Sequence, residues 1–158
     1  MKKSFILTAT IVLFMGSFAK AQSLKQYTWD SYKTKFKIGT DFKVKESTGT
    51  SFSAGNKDIN LTIYPRTGGH NNSSQLQTDL KSWVKDSKVT VSSDGYKELP
   101  DLNGYHGYMI DGTYEGWPVF MMNIVDPDYT DIHLYVWVSY DTKTYDIALE
   151  ILKSFTPN

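Results

Sequence analysis

The chain has 158 residues, no cysteine, and 17 basic side chains against 17 acidic ones. That length holds one domain with a real hydrophobic core and excludes two unless both are very small. An aromatic fraction of 15% beside 22% charged residues excludes a disordered chain, and balanced charge excludes the basic footprint of a nucleic-acid binder.

The first 21 residues read as a cleavable export signal. Lys2 and Lys3 make a positive start, Ser4 to Phe18 is mostly apolar, and Ala19-Lys20-Ala21 places small residues before a cut at Gln22. The apolar stretch is shorter than the ~18 residues of a spanning helix. No cysteine follows the cut, so a lipid anchor is not expected. The expectation is a signal peptide over 1–21 and a single domain over 22–158, periplasmic or secreted, with no stable membrane insertion after cleavage. Cleavage removes three lysines and no acid, leaving a formal net charge of −3. Without disulfides, stability must come from the core.

Residues 22–31 read as a lead-in, with Tyr27 and Trp29 able to tuck onto the body. Tyr32, Thr34, Phe36 and Ile38 then alternate with Lys33, Lys35 and Lys37, the pattern of a half-buried strand with a solvated lysine face. Gly39-Thr40-Asp41 predicts a turn and residues 42–47 a second strand. Ser51 to Ala54 gives a short strand, and Ile59, Leu61 and Ile63 alternate in another that ends at Pro65. Thr67 to Ser73 has loop composition. Ser74 with Gln77 fits a capping box, and Leu76, Leu80, Trp83 and Val84 recur at helical spacing, so a helix is expected over 75–86.

Three strands follow, over 104–114, 117–125 and 132–140, joined by a two-residue hairpin loop at Glu115-Gly116 and a longer loop over Asp126 to Asp131. Asp141 or Thr142 caps a last helix carrying Ile147, Ala148, Ile151, Leu152 and Phe155, with Pro157 as its stop. Pairing Tyr114 with Trp117 and Val125 with Ile132 sorts the meander into two faces. One holds Ile110, Val119, Met121, Val125, Ile132, Leu134, Val136 and Val138. The other holds Met109, Asp111, Phe120, Met122, Ile124, His133, Tyr135 and Trp137. A strand apolar on both sides, such as 117–125, needs cover on both sides, which a helix on each face would supply.

This order of strands, helix, antiparallel meander and C-terminal helix ending Ile151-Leu152-Lys153-Ser154-Phe155 resembles the PsbP-like α/β/α sandwich superfamily of small exported proteins. Tyr32-x-x-x-Phe36-x-Ile38 followed by Asp41-Phe42, and the mid-chain helix with Leu80 and Trp83, carry the resemblance over residues 27–156. It implies an α+β fold, a mainly antiparallel sheet packed with two helices, and a bias toward binding or accessory roles. It implies no catalytic residue.

The search for chemical motifs mostly fails. The segments around Ser51 and Ser53 each lack one glycine of a nucleophile elbow. His70, His106 and His133 lack the spacing of a helical zinc site. Asp126, Asp128 and Asp131 are calcium-ligand candidates by oxygen chemistry, although Asp-Pro-Asp is also ordinary turn chemistry. Asp111 and His133 share a predicted face but fall on opposite outer strands of the meander, so they are not expected to touch. What remains is aromatic surface: Tyr105, Tyr108, Tyr114, Trp117, Tyr129, Tyr135, Trp137 and Tyr140 crowd the second half. Flat rings stack on sugars and apolar ligands and anchor protein interfaces, and they also pack ordinary sheets. The candidate ligand-binding residues are therefore Asp111, Phe120, Met122, His133, Tyr135 and Trp137.

The expectation is an exported, non-enzymatic domain without a cofactor, binding a small ligand or an envelope protein through the aromatic sheet face or a loop rim. Its rivals are an interaction subunit of a cell-envelope complex and a small secreted hydrolase in which His133 or His106 meets a carboxylate or a serine.

Overall fold

The computed structural model describes residues 23–68 and 72–158. The export signal assigned to residues 1–21 therefore lies outside the described residues, as does His70. The lead-in is a strand: β1 (Leu24–Trp29) pairs antiparallel with β2 (Thr34–Gly39) across a 3-10 turn at Asp30–Tyr32. Trp29 is buried at its end. A two-residue strand, β10 (Thr156–Pro157), adds to the other edge of β2 and completes a three-stranded sheet.

The large sheet has seven strands, all antiparallel. In spatial order they are β3 (Lys43–Ser47), β4 (Phe52–Gly55), β5 (Ile59–Thr67), β9 (Ile132–Tyr140), β8 (Trp117–Val125), β7 (Tyr105–Tyr114) and β6 (Thr90–Leu102). The outermost strand β3 is exposed along its whole length and carries Lys43, Lys45 and Glu46, charges that discourage edge-to-edge pairing. The opposite edge strand, β6, has no alternation for a sequence reading to find. Most of its residues are exposed, and its pairing to β7 shifts register twice, between Val91 and Tyr96 and between Leu99 and Leu102.

Helix α1 (Ser73–Asp86) begins slightly earlier than its apolar spacing predicts. Its cap is Asn72 rather than Ser74. The Asn72 side chain accepts the Gln75 amide at 2.9 Å, and its own amide donates to Gln75 Oε1 at 2.6 Å. Helix α2 (Tyr145–Lys153) follows a 3-10 turn capped by Asp141, and it ends well before Pro157. Helix α1 lies over β6, β7 and β8 on one face of the large sheet. On the other face α2 packs against β9 and β2. This is an α+β domain with a helix on each face of a mainly antiparallel sheet, as the apolar patterning requires.

Two cores result. Phe36, Phe52, Leu61, Val136, Ile151 and Phe155 belong to the larger, between the sheet and the layer of α2 and the small sheet. Leu80, Val84, Ile110, Val119 and Met121 form the smaller one under α1. The hairpin at Glu115-Gly116 is as expected: both residues have positive φ, and Tyr114 pairs with Trp117. The β8–β9 register is not. Val125 pairs with His133, not Ile132, and that one-residue slip exchanges the two faces of β9. Leu134, Val136 and Val138 thereby join Phe120, Met122 and Ile124 in the larger core. No helix among the described residues is long and apolar enough to cross a membrane.

Candidate functional site

The register slip divides the six candidate residues. Asp111, Phe120 and Met122 lie on the α2 face; His133, Tyr135 and Trp137 lie on the α1 face. Phe120 and Met122 are core side chains, fully covered. Asp111 accepts a hydrogen bond from the Tyr140 hydroxyl at 3.3 Å. Burial, followed by the Asp111 charge and this bond, pushes the Tyr140 phenol well above its usual range. Asp111 and His133 are thus on opposite sides of the sheet.

His133 is 4% exposed, with Nδ1 2.7 Å from Asn123 Oδ1. The Asn123 amide donates to the Leu76 carbonyl in the first turn of α1 at 3.0 Å. Its oxygen is therefore the acceptor, and Nδ1 of His133 carries a proton. This buried relay ties β9 to β8 and β8 to α1, which is an anchoring role. Sequence reasoning missed Asn123, although a lone amide in the apolar run of β8 and a lone histidine in β9 were the signal that the two must meet.

Tyr135 and Trp137 remain an aromatic pair on the α1 face, and α1 brings them a third ring. Trp83 stacks on Tyr135 with centroids 4.5 Å apart and lies 6.1 Å from Trp137. Tyr114 meets Trp137 edge-on at 5.5 Å. The Arg66 guanidinium sits 5.4 Å from the Tyr135 ring centroid. Burial first, and the Asp79 charge second, push the Tyr135 phenol up to about 12.

Beyond Trp83 the face is open. Tyr64 is 39% exposed and Trp117 is 55% exposed. Two shallow clefts of about 380 and 370 Å³ lie side by side there. Trp137 and Tyr114 line both. Thr62, Tyr64, Trp83 and Ser87 complete the first, and Asn60, Ser139 and Trp117 contribute to the second. Their alignment follows from the pairing of Thr62 with Trp137 and Asn60 with Ser139, which puts the four side chains on one face.

A third cleft, of about 270 Å³, opens at the other end of the strands. The β1–β2 turn and the Asp126 to Asp131 loop form its rim, and Ile132 and Leu134 form part of its floor. Tyr105 is buried there and donates to Thr34 Oγ1 at 2.8 Å, since the Thr34 hydroxyl donates to the Tyr32 carbonyl at 3.1 Å. In the loop, Asp126 Oδ1 accepts the Asp128 amide at 2.9 Å, a turn contact. Among the described residues no group of three or more acidic or histidine side chains is placed to hold a metal ion.

No family model and no curated protein matches the chain. Among solved structures, the chain is similar to the solution structure of cyanobacterial PsbP (CyanoP) from Synechocystis sp. PCC 6803. The match covers 90% of this chain and 96% of that one, with 10% identity and a TM-score of 0.60. A crystal structure from Bacteroides thetaiotaomicron VPI-5482 is 13% identical over 81% of this chain and 46% of its own, with a TM-score of 0.46. The fold is PsbP-like, in agreement with the resemblance read from the sequence, and the likeness extends to fold alone.

Proposed function

We propose that this protein is an exported, non-enzymatic binding domain whose ligand lies along the open aromatic strip beside α1. The observation that carries this reading is the strip itself. Tyr64, Trp83, Tyr114, Trp117 and Trp137 gather where the helix stops covering the sheet, and the two clefts meet at Trp137. Uncharged polar groups, Asn60, Thr62 and Ser139, stand beside the rings, and Lys57, Asp58 and Glu115 also line the second cleft. Aromatic faces take flat apolar surfaces, while amides and hydroxyls hydrogen-bond at the edges. A ligand with apolar ring faces and a rim of hydroxyls, a short neutral sugar chain, fits both demands, and two adjoining clefts favour a linear one. The signal-like residues 1–21 support export, and the engagement of His133 with Asn123 supports a role without catalysis.

Isothermal titration of the purified protein against glucose-, mannose- and N-acetylglucosamine-based oligosaccharides tests the proposal, with tryptophan fluorescence as the site reporter. The expected result is saturable binding with a tryptophan signal that Trp117→Ala weakens about threefold to tenfold. Binding by none of the sugars, with a stable envelope protein partner recovered instead, would replace this reading by that of an interaction subunit.

A further inference from the structure

The terminal cleft is built differently from the aromatic strip. Two of its walls are phenol rings held in place before any ligand arrives. Tyr105 is fixed by its bond to Thr34, and Tyr32 is fixed by its hydroxyl bond to the Gly49 carbonyl and by the Trp29 ring 4.7 Å away. A third phenol, Tyr129, is 73% exposed on the loop that forms the rim. Two carboxylates, Asp30 and Asp126, line the same cleft against a single ammonium, Lys33. The Asp126 charge reaches this wall: it adds to the upward push that burial exerts on the Tyr105 phenol.

From this arrangement we infer that the terminal cleft is a second binding site, selective for a small organic cation with an aromatic or alkyl body. The faces of phenol rings carry negative potential and attract cations, and carboxylates on the rim reinforce that field. The apolar floor takes the body of the ligand. An anion would meet two carboxylates and three electron-rich rings, and a neutral ligand would gain packing against the rings without the charge attraction. Lys33 opposes the cation, so it weakens the site and its removal strengthens it. The inference is independent of the sugar-binding reading, because no tryptophan lines this cleft and the strip lies elsewhere on the sheet.

The test is an NMR titration of the full chain's purified product with phenethylammonium, against 2-phenylethanol as the uncharged counterpart. Phenethylammonium is expected to shift resonances of Tyr105, Tyr129 and the 126–131 loop, and to bind about tenfold more tightly than the alcohol. Asp126→Asn keeps an oxygen to accept the Asp128 amide, so the loop is preserved, and it should weaken cation binding about threefold to tenfold. Lys33→Gln should tighten it about twofold, with a smaller effect at high salt. Equal affinity for amine and alcohol would overturn the inference. So would shifts confined to Trp117 and Trp137, or no saturable shift in a protein whose spectrum shows it folded.

Discussion

The two faces of the seven-stranded sheet differ in how completely they are covered. A helix is about 10 Å wide and strands are spaced about 4.8 Å apart, so one helix shields two or three strands. On the α2 face a second element, the β1-β2-β10 sheet, shares the task, and Phe52, Leu61, Val136, Met122 and Phe120 across the sheet are fully buried. On the other face α1 works alone over β6 to β8, and the β5–β9 region keeps exposed rings. The sealed face is mostly aliphatic groups and phenylalanine, and its polar exceptions, Trp29, Tyr105 and Tyr140, each have a hydrogen-bond partner. The open face uses tryptophan, tyrosine, threonine and asparagine, which tolerate one wet edge. The proposed binding surface arises here from one missing cover.

If that contrast is right, damage to the sealed face should be felt as stability. Phe155→Ala removes a ring stacked on Phe36 at 4.9 Å and should cost about 3–5 kcal/mol, read by urea denaturation. A cost below about 1 kcal/mol would mean that this face is loosely packed. Next in size is the anchor of α1. Asn123→Leu strands the His133 Nδ1 proton and removes the second donor to the Leu76 carbonyl, and about 2–4 kcal/mol should be lost. Hydrogen exchange should show α1 opening faster than α2 in that variant.

The open face should respond mainly in its chemistry. The Tyr135 phenol is raised from 10.0 to about 12, chiefly by burial. A raised pKa means that the folded state favours the neutral phenol. The associated stability is intact below pH 10 and is lost as pH climbs through that window. Trp83→Ala uncovers Tyr135, so an ultraviolet pH titration should find its phenol ionising nearer to 10. The smallest stability effect belongs to Trp117→Ala, within about 0.5 kcal/mol, since the ring is more than half exposed. A large loss there would show that the hairpin tip is part of the core and would remove it from the proposed strip.

Much of the fold was legible because local chemistry decided it. Glu115-Gly116 imposed a two-residue hairpin, and with it the β7–β8 register. Leu76, Leu80 and Val84 marked the buried stripe of α1. The β8–β9 register was not legible, because a loop of intermediate length permits either parity and both faces of β8 are apolar. That parity placed Phe120 and Met122 in the candidate site when they belong to the core. Strand β6 escaped notice because an exposed, bulged edge leaves no periodicity. The terminal cleft joins the β1–β2 turn to the 126–131 loop, segments far apart in the chain, and no local pattern announces such a meeting.

The position of β9 has a consequence for when the molecule can form at all. This late strand sits in the middle of the sheet, where Ile63 pairs with Val136 on one side and Met122 with Val136 on the other. Until residues 132–140 are in place, β3-β4-β5 and β6-β7-β8 are two unjoined halves of the sheet. Closing so long a loop is slow. Delayed assembly of this kind would suit the export proposed above, and a copy truncated before Ile132 would leave two unjoined sheet halves rather than a smaller domain.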